Sequence, residues 1–268
     1  MNDKQHAINQ WTKHPIGVES TEYKEGTKEF FDDIARNRYE IYASWMKNTF
    51  RFEQFKNKKV LEIGVGTGTD HLQFAKAGAI LTGIDITPKS IELTKKNLEV
   101  HGYRSNLLIA DAESLPFESN FFDTVYSFGV LHHTPNTRKA IDEVYRVLKP
   151  QGKAIIALYH KNSLFYWYSI FLNQMILKGR IFKNFRETIL SEIEYGGKET
   201  KPLVKLYTKR GARSLFHKFS NIKLYTRHTG IGLSARLINR ILKMKGVNRI
   251  IEWASLKWGW YLIIEATK

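Results

Sequence analysis

Val60-Leu61-Glu62-Ile63-Gly64-Val65-Gly66-Thr67-Gly68-Thr69-Asp70 is the stretch that decides the fold. An apolar run ends in a Gly-x-Gly-x-Gly turn and leads into helix-like sequence. Glycines at such a turn let the backbone reverse sharply and lie close to a ligand that side chains would push away. A tight strand-to-helix connection needs glycine for packing as well, so the spacing is the test. A dinucleotide site takes Gly-x-Gly-x-x-Gly, which brings a pyrophosphate onto a helix N-terminus. This turn is one residue shorter, and Glu62 stands just before it, where a carboxylate repels pyrophosphate. The pattern suits a nucleotide-like ligand that lacks phosphate and carries a positive centre.

Outward from this turn, β-rich runs at 59–63, 80–85, 106–110, 123–128 and 153–159 alternate with helix-like segments at 70–77, 88–101 and 137–148. Repeated βα units of this kind give a doubly wound α/β fold, a mostly parallel sheet covered on both faces. Asp85 closes the second run about 20 residues after the glycines, placed to bind ribose hydroxyls, and Ile86 follows it to pack on an adenine. Asp111 closes the third run, beside Ala112, where its carboxylate can accept from an adenine amino group. All of these fall at the carboxyl ends of parallel strands, where open α/β sheets bind ligands. S-adenosylmethionine, with its adenosine, sulfonium and amino groups, fits that set.

The runs VLEIGVGTGTD, LTGIDITPKSIELTKKN, ADAESLPFESNFFDTVYSFGVLHH and RVLKPQGKAIIALYH follow one another in the order and spacing of four class I methyltransferase motifs. The chain resembles that family over residues 55–160, and most of all its quinone-biosynthesis branch. The resemblance implies a seven-stranded sheet with an antiparallel last strand. It also implies S-adenosylmethionine as cofactor, S-adenosylhomocysteine as product, and Glu62, Gly64, Gly66, Gly68, Asp85, Ile86, Asp111, Ala112 and Phe128 as cofactor-binding residues. One departure is Gln151, which stands where Pro150 is usually followed by two glycines.

Methyl transfer is an in-line displacement at an activated carbon, so the protein mainly has to align a nucleophile and exclude water. Where a base is used, His132 and His133 are the first candidates, because they follow the fourth strand and should border the methyl group. The same histidines occur in relatives with other substrates, which favours a structural role such as bonding a nearby loop. Tyr159 and His160 are weaker alternatives. Asp123 begins the fourth strand, away from the ligand edge, and is assigned to structure.

The parts flanking the core read differently. Residues 1–54 read as a helical lid, with an amphipathic helix over 28–46 after Thr27 as N-cap; Trp11 to Pro15 and Tyr39 are candidates to close over the cofactor, surface packing being the equal alternative. Residues 161–268 read as cap insertions plus the end of the same sheet. They comprise an aromatic cap over 162–201 with a Gly196-Gly197 break, a helix near 209–219, a strand at 221–227, a basic amphipathic stretch over 236–245 and a last strand at 259–267.

The net charge is +16, and residues 160–268 hold 21 Lys plus Arg against 6 Glu, so nearly all of it lies in the last two fifths of the chain. A basic surface attracts phosphate, anionic lipid or an acidic substrate; the plainer alternative is a solvated lysine-rich face. There is no cysteine, which excludes disulfides, thiolate zinc sites and methylation through a cysteine adduct. Ser127-Phe128-Gly129 replaces the Asn/Asp-Pro-Pro-aromatic loop of enzymes that methylate exocyclic or amide nitrogens. The expected acceptor is therefore a small molecule, methylated at oxygen, nitrogen or an activated carbon. Competing expectations are a lipid-like acceptor at an anionic membrane surface, an RNA held by the positive charge, and a non-catalytic cofactor-binding subunit. No apolar run reaches the length of a spanning helix, and the expected location is cytoplasmic.

Overall fold

The computed structural model describes residues 3–177, 203–229 and 247–268. Five parallel strands come first: β1 (Lys59–Ile63), β2 (Ile80–Asp85), β3 (Asn106–Ile109), β4 (Phe122–Phe128) and β5 (Leu148–His160). They are followed by β6 (Leu206–Tyr207), β7 (Ser220–Arg227) and β8 (Tyr261–Thr267). The order across the sheet is β3-β2-β1-β4-β5-β8-β7. β8 runs antiparallel between β5 and β7. The implied seven-stranded order is present, and the two-residue β6 adds a short parallel partner at the end of β5.

Strand side chains alternate between the two faces, and the sequence supplies apolar residues to both. Leu61, Ile63, Val125, Ile156 and Ile264 pack one way, against Ala140, Ile141 and Val144 of a helix over Thr137–Val147. Val60, Leu81, Tyr126, Ile155 and Ile263 pack the other way, against Phe50, Phe52, Phe55 and Phe74. A sheet buried on both sides is what parallel strands require, and it leaves the strand ends as the place for polar chemistry.

The N-terminal part is helical: α1 (Asp3–Lys13), α2 (Lys28–Arg36), a π-helical turn over Asn37–Tyr42, and α3 (Trp45–Phe50). Thr27 caps α2 by accepting from the Phe30 N–H, as expected. The expected single helix over 28–46 instead widens into the π turn and ends at Ala43, whose φ of -135° and ψ of 52° are not helical. α1 was not legible, because its sequence is polar and its anchoring contacts are distant. Gln151 adopts a φ of 65°, the left-handed conformation that a glycine would favour. Gly196-Gly197 and the basic stretch 236–245 lie outside the described residues, as does all of the 162–201 cap beyond residue 177.

Candidate active site

Because β1 to β5 are parallel, their carboxyl ends meet on one edge of the sheet. The amino end of the antiparallel β8 reaches the same edge, with Tyr261 paired to Tyr159 on one side and Arg227 on the other. A cavity of about 700 Å3 opens along this edge, within the range of small-molecule sites. Glu62, Gly64, Gly66, Asp85, Ile86, Asp111, Ala112 and Phe128 all line it.

The glycine turn shows why those residues were selected. Gly66 has a φ of 56°, and a Cβ there would meet nothing within 4 Å, so its bare backbone faces open cavity. Gly68 does other work. It is not on the cavity wall; it precedes α4 (Thr69–Lys76) at a φ of 76°, where a Cβ would come 3.0 Å from the backbone of Thr94. That expected ligand glycine is a packing glycine between α4 and α5 (Pro88–Val100).

Asp85 is fixed by its own chain. One carboxylate oxygen accepts from the Thr87 N–H and hydroxyl, both at 2.9 Å, and the other from the Gly66 N–H at 3.2 Å. Burial raises its carboxyl above the usual range, opposed by those bonds. Asp111 accepts from the Glu113 N–H at 2.9 Å and from Lys4 Nζ at 2.5 Å. Lys4 reaches Glu113 as well, at 2.9 Å, so α1 is strapped over this wall.

Arg38, on the π turn, lines the cavity and makes a two-point ion pair with Asp70 at 2.7 and 2.5 Å. The hydroxyls of Tyr39 and Tyr126 donate to the same carboxylate at 2.5 and 2.8 Å. Burial alone would raise Asp70, but Arg38's charge and these donors hold it below the usual range. Tyr39, expected over the cofactor, is instead buried beneath the wall in this network; Trp11 and Pro15 do line the cavity. Nothing in the local sequence marks Arg38 or Lys4, because each acquires its role from an acid far along the chain.

The two histidines separate. His133 lines the cavity, and its Nδ1–H donates to the Leu203 carbonyl at 2.7 Å. His132 does not reach the wall, contrary to expectation. It is fully buried, lies 3.8 Å from the Tyr159 ring, centroid to centroid, and burial pushes it well below its ordinary value. His160 is also off the wall, donating to the Gly259 carbonyl at 3.1 Å, and Asp123 accepts from the Lys59 N–H and Lys149 at the far end of β4.

The other end of the cavity is aromatic. Tyr42, Phe128, Tyr159, Phe165, Trp260 and Tyr261 line it. Tyr159 lies 4.3 Å from Trp260 and Phe128 4.6 Å from Tyr261, and the Tyr42 and Tyr261 hydroxyls meet at 2.8 Å. His228, pushed down to about 4 by burial, adds a neutral ring 4.4 Å from Tyr42.

The donor set fits a cationic nucleoside. Glu62, Asp85 and Asp111 face one cavity, and the two basic side chains among them, Lys4 and Arg38, are tied to Asp111 and Asp70. Residues 61–156 match the family model described as a methyltransferase domain. The ubiquinone/menaquinone biosynthesis C-methyltransferase UbiE of Geotalea daltonii is 30% identical over 189 residues, covering 62% of this chain and 78% of that protein. The chain belongs to the class I S-adenosylmethionine-dependent methyltransferases. The sterol 4-C-methyltransferase strm-1 of Caenorhabditis elegans is 37% identical over 108 residues, 40% of this chain; the chain spans 32% of that relative's length. In fold, this methyltransferase-family chain is similar to phosphoethanolamine N-methyltransferase 2 of Haemonchus contortus, solved with phosphomonomethylethanolamine and S-adenosylhomocysteine. The TM-score is 0.56 at 18% identity, over 84% of this chain and 53% of that one.

Proposed function

We propose that the chain transfers the methyl group of S-adenosylmethionine to a small, largely apolar acceptor that carries an unsaturated ring. One observation carries this reading: a single cavity joins a wall of glycine backbone and carboxylates to a wall of aromatic rings. When bound, the cofactor supplies an activated methyl on a positively charged sulfur. Glu62 faces its cationic amino-acid end, Asp85 takes its ribose hydroxyls, Ile86 and Ala112 flank its adenine, and Asp111 accepts from the adenine amino group. Residues 1–54 act as the lid, with Trp11 closing the side near His133. The aromatic end stacks the acceptor and excludes water, and placement of the nucleophile in line with the methyl group does most of the catalysis.

His133 is assigned to positioning, since its Nδ1–H holds residue 203 to the site. His133→Ala should lower turnover by less than about tenfold, short of the 10²- to 10⁴-fold loss that removal of a general base brings. The deciding experiment is calorimetric titration with S-adenosylmethionine and S-adenosylhomocysteine, followed by a labelled-methyl screen of phenolic and quinol acceptors. Binding near micromolar, about 8 kcal/mol, together with label transfer, supports the reading. Absence of binding to either nucleoside would end it.

A membrane-surface acceptor has its own support. No helix among the described residues is long and apolar enough to cross a membrane. The helix over Val247–Trp258 exposes Ile250, Trp253 and Leu256 three residues apart, beside Lys257, whose Nζ lies 4.6 Å over the Trp258 ring. Such a face suits an interfacial helix at an anionic bilayer. Co-sedimentation with phosphatidylserine vesicles and not with phosphatidylcholine ones is expected; equal recovery with both would remove the electrostatic part of this reading.

A further inference from the structure

His71 lies behind the cavity wall and does not touch the cavity. It is fully buried on α4, yet both ring nitrogens are engaged: Nδ1 is 2.8 Å from Glu62 Oε2 and Nε2 is 2.8 Å from the Ser105 hydroxyl. The ring crosses β2 at Gly83, the register partner of Glu62. A Cβ on Gly83 would come within 2.6 Å of His71 Cε1, so the absent side chain makes room for the imidazole. Ser105 is half-buried just before β3. A continuous hydrogen-bonded path therefore runs from the acid on the cavity wall, through a buried imidazole, toward the protein surface.

We propose that His71 is a positioning residue that couples binding of the cofactor's ammonium end to loss of one proton from Glu62 by way of Ser105. The inference rests on the cofactor reading above. A neutral imidazole accepts at one nitrogen and donates at the other, so two arrangements with an uncharged ring are open to the chain. In the first, protonated Glu62 donates to Nδ1 while Nε2–H donates to Ser105. In the second, Nδ1–H donates to the Glu62 carboxylate and Nε2 accepts from the Ser105 hydroxyl. Passing between them, the Glu62 proton moves to Nδ1, the Nε2 proton to the Ser105 oxygen, and the original hydroxyl proton to solvent. One proton leaves, and the only charge that forms is the Glu62 carboxylate, with neither an imidazolium nor an alkoxide. An ammonium group facing Glu62 favours the second arrangement, because it compensates the new charge.

The groups facing Glu62 support the protonated form in the protein alone. Burial raises its carboxyl well above the ordinary range, and the charges of Asp70 on α4 and Asp85 on β2 add to this, opposed by Arg38 on the π turn. The hydroxyls of Tyr39 and Tyr126 border the same network. His71 itself is pushed down to about 3 by burial, so the ring stays neutral in both arrangements.

The test is calorimetry of S-adenosylmethionine binding at pH 6.5 in buffers of different ionisation enthalpy, which counts the protons released. The wild-type protein should release about one proton more than Glu62→Gln, which has none to give. Its affinity should rise about tenfold per pH unit while Glu62 is protonated in the free protein. His71→Leu removes both ring nitrogens, so the Glu62 carboxylate loses the N–H donor that supports it in the second arrangement. Glu62 should then stay protonated in the complex, lowering the proton count and flattening the pH profile. A wild-type count equal to that of Glu62→Gln, with tight binding intact, would overturn the proposal and leave the cofactor reading standing. A His71→Leu count equal to wild type would overturn the part played by His71. Failure of the wild type to bind at any pH would instead strike the cofactor reading itself.

Discussion

The two ends of the cavity are built by opposite means. The cofactor end comes mainly from a short contiguous part of the chain: Glu62 to Gly66, Asp85 and Ile86, and Ala110 to Ala112, each at the end of a successive parallel strand. The aromatic end draws Tyr42 from the N-terminal helices, Phe128 and Tyr159 from two strands, Phe165 from the cap, His228 from the end of β7 and Trp260 and Tyr261 from the start of β8. The first end depends on backbone geometry and on acids held by hydrogen bonds from their own chain. The second depends on ring faces. Under the proposed function, the end of backbone and acids holds the cofactor and the ring-lined end receives the acceptor.

The largest way to break that division is at the contact joining the two ends, since Asp70 belongs to the glycine motif and its partner Arg38 to the lid. Asp70→Asn should cost about 3 to 5 kcal/mol, the usual loss when one partner of a buried pair is removed, read as a lower urea midpoint. Because the folded-state carboxyl lies below its unfolded value, the pair's stabilisation is fully present above the unfolded pKa and disappears as pH falls through the folded one. The variant should therefore lose part of the acid-induced decline in stability. Unchanged stability would show that lid and core are not tied there.

Asp85→Ala should weaken cofactor binding by about 1 to 3 kcal/mol in calorimetry, while acceptor KM at saturating cofactor stays within about twofold. A matched loss at both ends would mean that the division is false. Trp260→Leu is the converse. It should raise acceptor KM by an amount equivalent to about 1 kcal/mol, as expected for a lost aromatic stack, with cofactor Kd unchanged. Lys4→Met should have the smallest effect. Its partly exposed bond to Asp111 competes with any adenine contact there, so cofactor affinity should rise by less than about 1 kcal/mol; weaker binding would make Lys4 part of the site.

The core was legible from local pattern. Strand limits at 59–63 and 80–85 agree to the residue, because period-two burial and glycine punctuation are local signals. The wall positions of Glu62, Gly66, Asp85 and Asp111 followed from them, since a parallel strand has one ligand-facing end. The remainder depends on contacts between distant parts of the chain. His132 and His133 are neighbours in sequence, yet one is sealed behind Tyr159 and the other stands on the wall. Gly68 resembles Gly66 in the motif but packs on Thr94. Lys4 and Arg38 meet acids 107 and 32 residues away. The physical reason is the same in each case: local pattern sets which backbone forms and which face is buried, whereas a polar side chain's role depends on partners that chain folding brings together from far along the sequence.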